Sequence, residues 1–279
     1  MRNEYRGEVT LAQPLHFGVP PSLGALQATT AASKLGSLLR RILAPEFAVT
    51  MTVLENYAGL GEGLLTGKLD VAWAPALVCA KVEQASGRAL LRLSRGGKET
   101  YRSAFISLVD HPVDLRNLVA QRVAWVDRES TAGYLVPRRY LTDAGVDLEK
   151  AFKLESFAGS YNEAVVALIA GKADLSVTFA SAAGSLTPSS GLDHLPASMH
   201  ALLKIIGYTH ETPNDGIVAS PQLDPKIAAL VTTRLNALYE DPASRKVLHE
   251  VFDADRLVVA PPGSYAALYP LVVPVSSPR

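Results

Sequence analysis

The chain has 279 residues, 48% of them hydrophobic and 19% charged, enough apolar material for two compact lobes of ordinary domain size and too apolar for a disordered chain. Lys plus Arg and Asp plus Glu number 27 each, so the broad basic field that nucleic acid demands is missing and nucleic-acid binding is not expected. The single cysteine, Cys79, lies in an apolar run, which points to a buried thiol and excludes a disulfide within the chain.

Residues 1–19 scatter charges and lack the apolar core, roughly 7–15 residues, of an export signal. No stretch reaches the roughly 18 uninterrupted apolar residues of a membrane span. The chain as given is expected to be soluble, without membrane insertion. It is expected to be cytoplasmic as it stands, or periplasmic if an export signal preceded it.

The first predicted strand is Leu15–Val19, closed by Pro20, Pro21 and Ser22. From Leu23 to Leu43 apolar residues recur at helical spacing, with Arg40 and Arg41 in the last turn, where cations suit the negative end of the helix dipole. Phe47–Leu54 is rich in strand formers, Asn56-Tyr57 opens a second helix that ends at Gly67-Lys68, and Asp70–Trp73 gives a third strand. This β-α-β-α-β pattern predicts an α/β fold, a mostly parallel sheet flanked by helices.

A polar turn, Ser94–Tyr101, precedes a strand from Arg102 to Val109. A second polar segment, Tyr208–Asp215, lies between the apolar runs Leu202–Ile206 and Ile217–Ala219. These are the expected hinge crossings between lobes, dividing the chain into a discontinuous first lobe, 1–101 with 213–279, and a second lobe, 102–212. The run rich in Ser, Gly and Pro from Gly184 to Ser198 reads as a surface loop. Ile227–Tyr239 and Ala243–Phe252 read as helices packing back on the first lobe.

Within the second lobe, Val123–Val126 forms a short buried strand broken by Asp127, Arg128 and Glu129. Ser130 and Thr131 then stand at a helix start, and Gly133 leaves room for something to approach the backbone. The first-turn amides of a helix have no internal partner, and its dipole adds about half a positive charge there. Strand, polar elbow, hydroxyl residues and helix together make an anion seat. An ordinary capped helix is the alternative.

The chain also repeats itself. Residues from Glu55 superpose without a gap on residues from Gly159, placing Asn56 on Ser160, Tyr57 on Tyr161, Gly67-Lys68 on Gly171-Lys172 and Asp70 on Asp174. Two such lobes would direct four helix starts into one crevice, at Pro21-Ser22, Asn56-Tyr57, Ser130-Thr131 and Ser160-Tyr161. Ser160 with Glu163 is also a capping box, so Ser160 reads equally as structural. Tyr101, at the first crossing, is a candidate ligand contact. Phe179, whose repeat position corresponds to Pro75, is a candidate wall residue. Trp73 and Trp125 either pack in the cores or line the crevice.

Chemistry beyond binding finds no motif. The six histidines, His16, His111, His194, His200, His210 and His249, show no metal-ligand spacing. The glycines around Gly61–Gly67 follow or interrupt a helix and are not placed before one as a phosphate loop requires, and there is no nucleophile elbow. No metal, cofactor or catalytic residue is expected.

Four blocks, GGKETYRSAFISLVD from Gly96, RVAWVDRESTAGYLVPRRYL from Arg122, AGKAD from Ala170 and TPNDGIVAS from Thr212, together resemble one family. These are the phosphonate/phosphite-type substrate-binding proteins of bacterial ABC transporters, with the type II periplasmic-binding-protein fold. The resemblance runs from about Leu15 to Val258. It implies two lobes closing on a small oxyanion, with Ser130, Thr131 and Ala132 gripping oxygens through hydroxyls and backbone N–H groups. It also implies an ABC permease as partner, and the protein is expected to be a monomer.

The chain departs from the family pattern at Ala132, where a further hydroxyl is usual, and at Ala74–Val78, which is aliphatic where an aromatic is usual. A Ser-His-Asp helix start is replaced by Ser160-Tyr161-Asn162, and Thr178-Phe179-Ala180 lacks a carboxylate. No amine is therefore expected in the ligand. The alternatives are a cytosolic enzyme of the same fold acting on a carboxylate metabolite, and a degenerate member used for protein contacts. Replacing Ser130 and Thr131 together by Ala is expected to abolish anion binding and leave the unliganded melting point nearly unchanged.

Overall fold

The computed structural model describes residues 12–21, 25–181, 191–192 and 195–272. The first part of the chain forms β1 (Gln13–Val19), α1 (Ala25–Leu43), β2 (Phe47–Val53), α2 (Tyr57–Leu65), β3 (Val71–Ala74), α3 (Ala76–Gln84) and β4 (Arg88–Ser94). After the first crossing come β5 (Thr100–Leu108), β6 (Gln121–Trp125), a π-helical turn (Thr131–Leu135), α4 (Val136–Asp143), α5 (Leu148–Ala151), β7 (Phe152–Phe157), α6 (Tyr161–Ile169) and β8 (Leu175–Ser181). Then follow α7 (Ala197–His200), β9 (Leu203–Tyr208) and β10 (Thr212–Pro213). The chain returns through β11 (Gly216–Ala219), α8 (Pro225–Ala237), α9 (Pro242–Phe252), β12 (Arg256–Val259) and a 3-10 turn, Ala266–Leu271.

Two mixed sheets result, ordered β12-β4-β11-β3-β1-β2 and β10-β5-β8-β6-β7, with β9 also paired to β5. Each ends in a parallel three-strand run, β2-β1-β3 in one and β7-β6-β8 in the other, with β2 and β7 at the edges, as successive β-α-β units require. The returning chain adds antiparallel strands: β11 beside β3 and β4, and β10 and β9 beside β5. Strands β4 and β12 are absent from the sequence reading. Arg88–Ser94 is interrupted by Arg88 and Arg92, and Arg256–Val259 is short, so neither gives the long apolar run expected of a central strand. Most of the expected loop 184–198 lies outside the described residues, and Ala197 already belongs to α7.

Helix α1 shows how sequence becomes core. Leu35, Leu39 and Leu43 recur every four residues and all have no solvent exposure, packing with Leu15, Phe17 and Val231. Burying each such side chain contributes about 1.5–3 kcal/mol. The second sheet packs Phe105, Val123, Trp125 and Val177 beneath α4 and α5. Trp125 belongs to this core, its indole N–H donating to Glu155 Oε2 at 2.7 Å.

The internal repeat is structural. Asn56 caps α2 by accepting from Gly59 N–H, and Ser160 caps α6 by accepting from Glu163 N–H, with near-identical backbone angles (φ −152, ψ 168 and φ −149, ψ 163). Asp70 accepts from His16 N–H at 2.7 Å, and Asp174 accepts from Arg122 N–H at 2.8 Å. The strand registers match as well, Phe17 with Val71 and Val123 with Leu175. Each aspartate ties the start of the helix-following strand to the strand that opened its unit, so it sets the depth at which each helix start meets the crevice.

The crossings lie side by side. The first is a two-residue hairpin turn, Gly96 (φ 56) and Gly97 (φ 71), with Arg95 and Lys98 exchanging backbone bonds. Both left-handed positions suit glycine. Asn214 on the second crossing is fully buried and donates from Nδ2 to Leu93 O (2.9 Å) and Lys98 O (3.0 Å), while its N–H donates to Glu99 O (2.9 Å). From below, the Tyr265 hydroxyl donates to Asn214 O at 2.9 Å. A Cβ at Gly216 would stand 2.4 Å from that hydroxyl, so glycine is required there.

Asn214→Ala strands two buried carbonyls and is expected to lower unfolding free energy by about 1–3 kcal/mol, measured by denaturant titration. A second stability signature sits at the α1–β2 turn, where Arg234 donates to both Glu46 oxygens (3.0 and 2.5 Å). Its guanidinium holds the Glu46 carboxyl down from 4.5 to about 2. A depressed carboxyl stabilises the fold above its unfolded value and loses that contribution as pH falls through its folded value. The melting-temperature gap between the parent protein and Glu46→Gln is therefore expected to be full above pH 4.5 and to vanish toward pH 2.

Candidate functional site

Between the lobes lies a cavity of about 180 Å3 lined from both sides and by both crossings. The second lobe supplies Ser130, Thr131, Ala132, Tyr161 and Phe179; the first supplies Tyr57, Trp73 and Pro75. From the crossings and the end of α9 come Arg95, Tyr101, Asn214, Asp215 and Phe252.

The Ser130 elbow is built by a tight steric fit. Ser130 Oγ accepts from Gly133 N–H at 3.0 Å, and Gly133 O accepts from Val126 N–H at 3.2 Å. A Cβ on Gly133 would stand 2.4 Å from Val126 Cβ and 2.7 Å from Ser130 Oγ. What approaches this glycine is thus the protein itself, through Val126 and Ser130. The elbow opens as a π-helical turn, a form often found at functional positions. Leu135 N–H is the first to bond back, to Ser130 O at 3.0 Å, so the Thr131 and Ala132 amides have no helical acceptor. Ser130, Thr131 and Ala132 are each about 5% exposed or less, and all three border the cavity.

Of the other residues singled out in the sequence, Tyr57, Tyr101, Tyr161 and Phe179 border the same cavity. Tyr161 packs edge-on against Phe179, ring centres 5.2 Å apart. Asn56 and Ser160 do not border it, because each spends its side-chain oxygen on capping its own helix. Ser22 lies outside the described residues. Desolvation pushes the Tyr161 and Tyr101 phenols well above 10.0, so both remain neutral hydroxyl groups able to donate. The Ser130 hydroxyl beside Tyr161 partly offsets that rise.

Residues brought in by the fold complete the wall. Trp73 stacks edge-on against Phe252 at 5.0 Å and donates from Nε1 to Asp215 Oδ2 at 3.3 Å. Arg95 Nη2 stands 3.6 Å from the same oxygen. A carboxylate therefore does stand in the cleft, on the second crossing, where the absence of one at Thr178–Ala180 gave no hint of it. Asp215 and Arg95 were legible only as polar turn residues. Their meeting requires the chain to return over more than a hundred positions.

The lobes also touch directly. Thr131 Oγ1 accepts from Leu77 N–H at 3.3 Å, supplying the first turn of α3 with an acceptor that its own cap, Pro75, cannot offer. Val136, from the second lobe, packs with Leu60, Val78 and Cys79 of the first. Cys79 is buried with its Sγ 3.3 Å from Ala74 O, and burial pushes its thiol far up, so it is inert. Among the described residues no group of three potential metal ligands occurs, and no helix is long and apolar enough to cross a membrane.

Comparison with known proteins gives this architecture a place. A family model described as the phosphonate periplasmic substrate-binding protein of ABC transporters matches residues 17–265. The phosphate-import protein PhnD of Mycolicibacterium smegmatis is 30% identical over 137 residues, covering 44% of this chain and 42% of that protein. The match thus spans less than half the length of that curated relative. A binding protein component of an ABC phosphonate transporter from Pseudomonas aeruginosa superposes with a TM-score of 0.75 at 19% identity, covering 93% of this chain and 85% of that one. PhnD1 from Prochlorococcus marinus (MIT 9301), solved in complex with methylphosphonate, gives 0.75 at 18% identity, covering 93% and 97%. Both structures share the two-lobed α/β fold. The family is one of transporter binding proteins, so the enzyme alternative falls. With its family match running across nearly the whole described fold, the chain belongs to the phosphonate-type periplasmic substrate-binding proteins of ABC transporters.

Proposed function

We propose that the protein closes its two lobes, residues 1–101 with 213–279 and residues 102–212, on a small oxyanion such as phosphonate, phosphite or phosphate. It then presents the loaded form to an ABC permease, acting as a periplasmic monomer. The observation that carries this reading is the Ser130 elbow: buried, bordering the interlobe cavity, with the Thr131 and Ala132 amides lacking helical acceptors. Ser130, Thr131 and Tyr161 add hydroxyls, and Tyr57 and Tyr101 complete the polar ring around the same space. The phosphate-import relative and the methylphosphonate-bound structure support the choice of ligand class. No covalent step is involved; fixed N–H and O–H dipoles neutralise the guest.

Thermal unfolding with added phosphate, phosphite and methylphosphonate tests this reading. A ligand held at 100 times its dissociation constant adds about 2.7 kcal/mol of stability. The double substitution Ser130→Ala, Thr131→Ala is expected to abolish that increment; an increment that survives it defeats the assignment. The unliganded protein is also expected to lose about 1 kcal/mol, because Ser130 is a working cap and Thr131 bonds across the lobes. This corrects the expectation of an unchanged melting point.

Tyr161→Phe removes one neutral donor and keeps the ring against Phe179. Titration calorimetry is expected to show affinity for methylphosphonate falling roughly tenfold, with the unliganded melting point within a degree or so of the parent.

A further inference from the structure

We infer that Arg95 is a built-in counter-ion that sets the charge of the ligand's tail, so that the cleft selects oxyanions whose carbon substituent is uncharged. This rests on the anion-seat reading above and adds a specificity-determining residue to it. Three ionisable groups other than tyrosines border the cavity: Arg95, Asp215 and Asp253. Asp253 is exposed and its charge is screened by water. Arg95 and Asp215 are only 21% and 27% exposed and stand 3.6 Å apart.

The guanidinium cannot swing away freely. Its Nε donates to Asp253 O at 2.8 Å and its Nη2 to Phe252 O at 2.9 Å, the carbonyls ending α9. That helix terminus carries partial negative charge, which favours a fixed cation. Asp215 is held in turn by the Trp73 indole N–H at 3.3 Å. The carboxylate is therefore already matched by a cation that belongs to the chain.

An ammonium group entering beside this pair would meet a neutralised carboxylate and an immobile like charge. It would give up its hydration for no net attraction. An uncharged tail instead finds Trp73, Phe252, Val251 and Phe179 bordering the same space.

Propylphosphonate and 2-aminoethylphosphonate have nearly the same size and differ in tail charge, so calorimetric titration with both, and with inorganic phosphate as a tail-less probe, tests the inference. The parent protein is expected to bind propylphosphonate tighter than the aminoethyl compound by roughly tenfold or more. Arg95→Met is expected to close or invert that ratio. Equal affinities in the parent protein, a preference for the amine, or an unchanged ratio in Arg95→Met would each overturn it.

Because Arg95 also anchors the end of α9, Asp215→Asn provides an independent reading. It keeps an acceptor for Trp73 and leaves the guanidinium unmatched. Binding of phosphonoacetate, which carries an anionic tail, is then expected to strengthen by roughly tenfold over the parent. No gain overturns the proposal. Failure of phosphate and both phosphonates to bind the parent protein overturns the anion seat and this inference together, whereas the affinity ratios bear on Arg95 alone.

Discussion

The carboxamide of Asn214, shut away from solvent, donates to two carbonyls on the neighbouring crossing and so welds the two passages of chain into one ribbon. A two-lobed molecule with independent crossings could twist as well as open. Asn214 N–H is also bonded to Glu99 O, and Leu93 N–H to Asp215 O, so the crossings resist twisting apart. The Tyr265 hydroxyl braces it from the first lobe, and Gly216 leaves the room this needs. Tyr101, Asn214 and Asp215 lie on or beside the ribbon, so the bonded crossings form the floor of the cavity.

On that floor stand two halves of one plan. The matched pairs Asp70 and Asp174, Asn56 and Ser160, and Tyr57 and Tyr161 give each lobe a helix start at the same depth. The halves differ in which residues they leave for a guest. In the second lobe the π-helical turn keeps the Thr131 and Ala132 amides out of the helical ladder, whereas the first lobe contributes mostly rings and Pro75. Charge in the cleft is nearly balanced within the protein, since Arg95 is taken up by Asp215 and by the end of α9. On the proposed reading, affinity for an anion comes from oriented dipoles. These cost no reorganisation on binding and lose less to salt than surface charges do.

What the sequence made legible was whatever short-range physics decides. Caps at Asn56 and Ser160, the glycines ending α2 and α6, and the elbow at Ser130 are each recognisable within a few residues. The same locality fell short at two points. Gly133 was read as room for something to approach the backbone, and only the fold shows that this is Val126, seven positions earlier. The expectation that replacing Ser130 and Thr131 leaves the unliganded melting point unchanged overlooked that one caps its own turn and the other serves Leu77. Arg95, Trp73, Asp215 and Phe252 were beyond reach as a cluster, because Trp73 and Asp215 are 142 positions apart and Arg95 and Phe252 are 157 apart. Nothing in the periodicity of either segment encodes such a meeting.

The Thr131–Leu77 bond and the seat of Val136 among first-lobe side chains are contacts of protein with protein, and they need no guest to form. A guest can move an equilibrium only by the difference in its affinity for the two arrangements. If the molecule already leans toward being shut, less of a guest's interaction is consumed in shutting it, and capture is tight. The same lean blurs the contrast between occupied and vacant molecules that any downstream reader must sense. On the proposed function, a single hydroxyl on Thr131 would then sit on the balance between how firmly cargo is kept and how clearly its presence is announced.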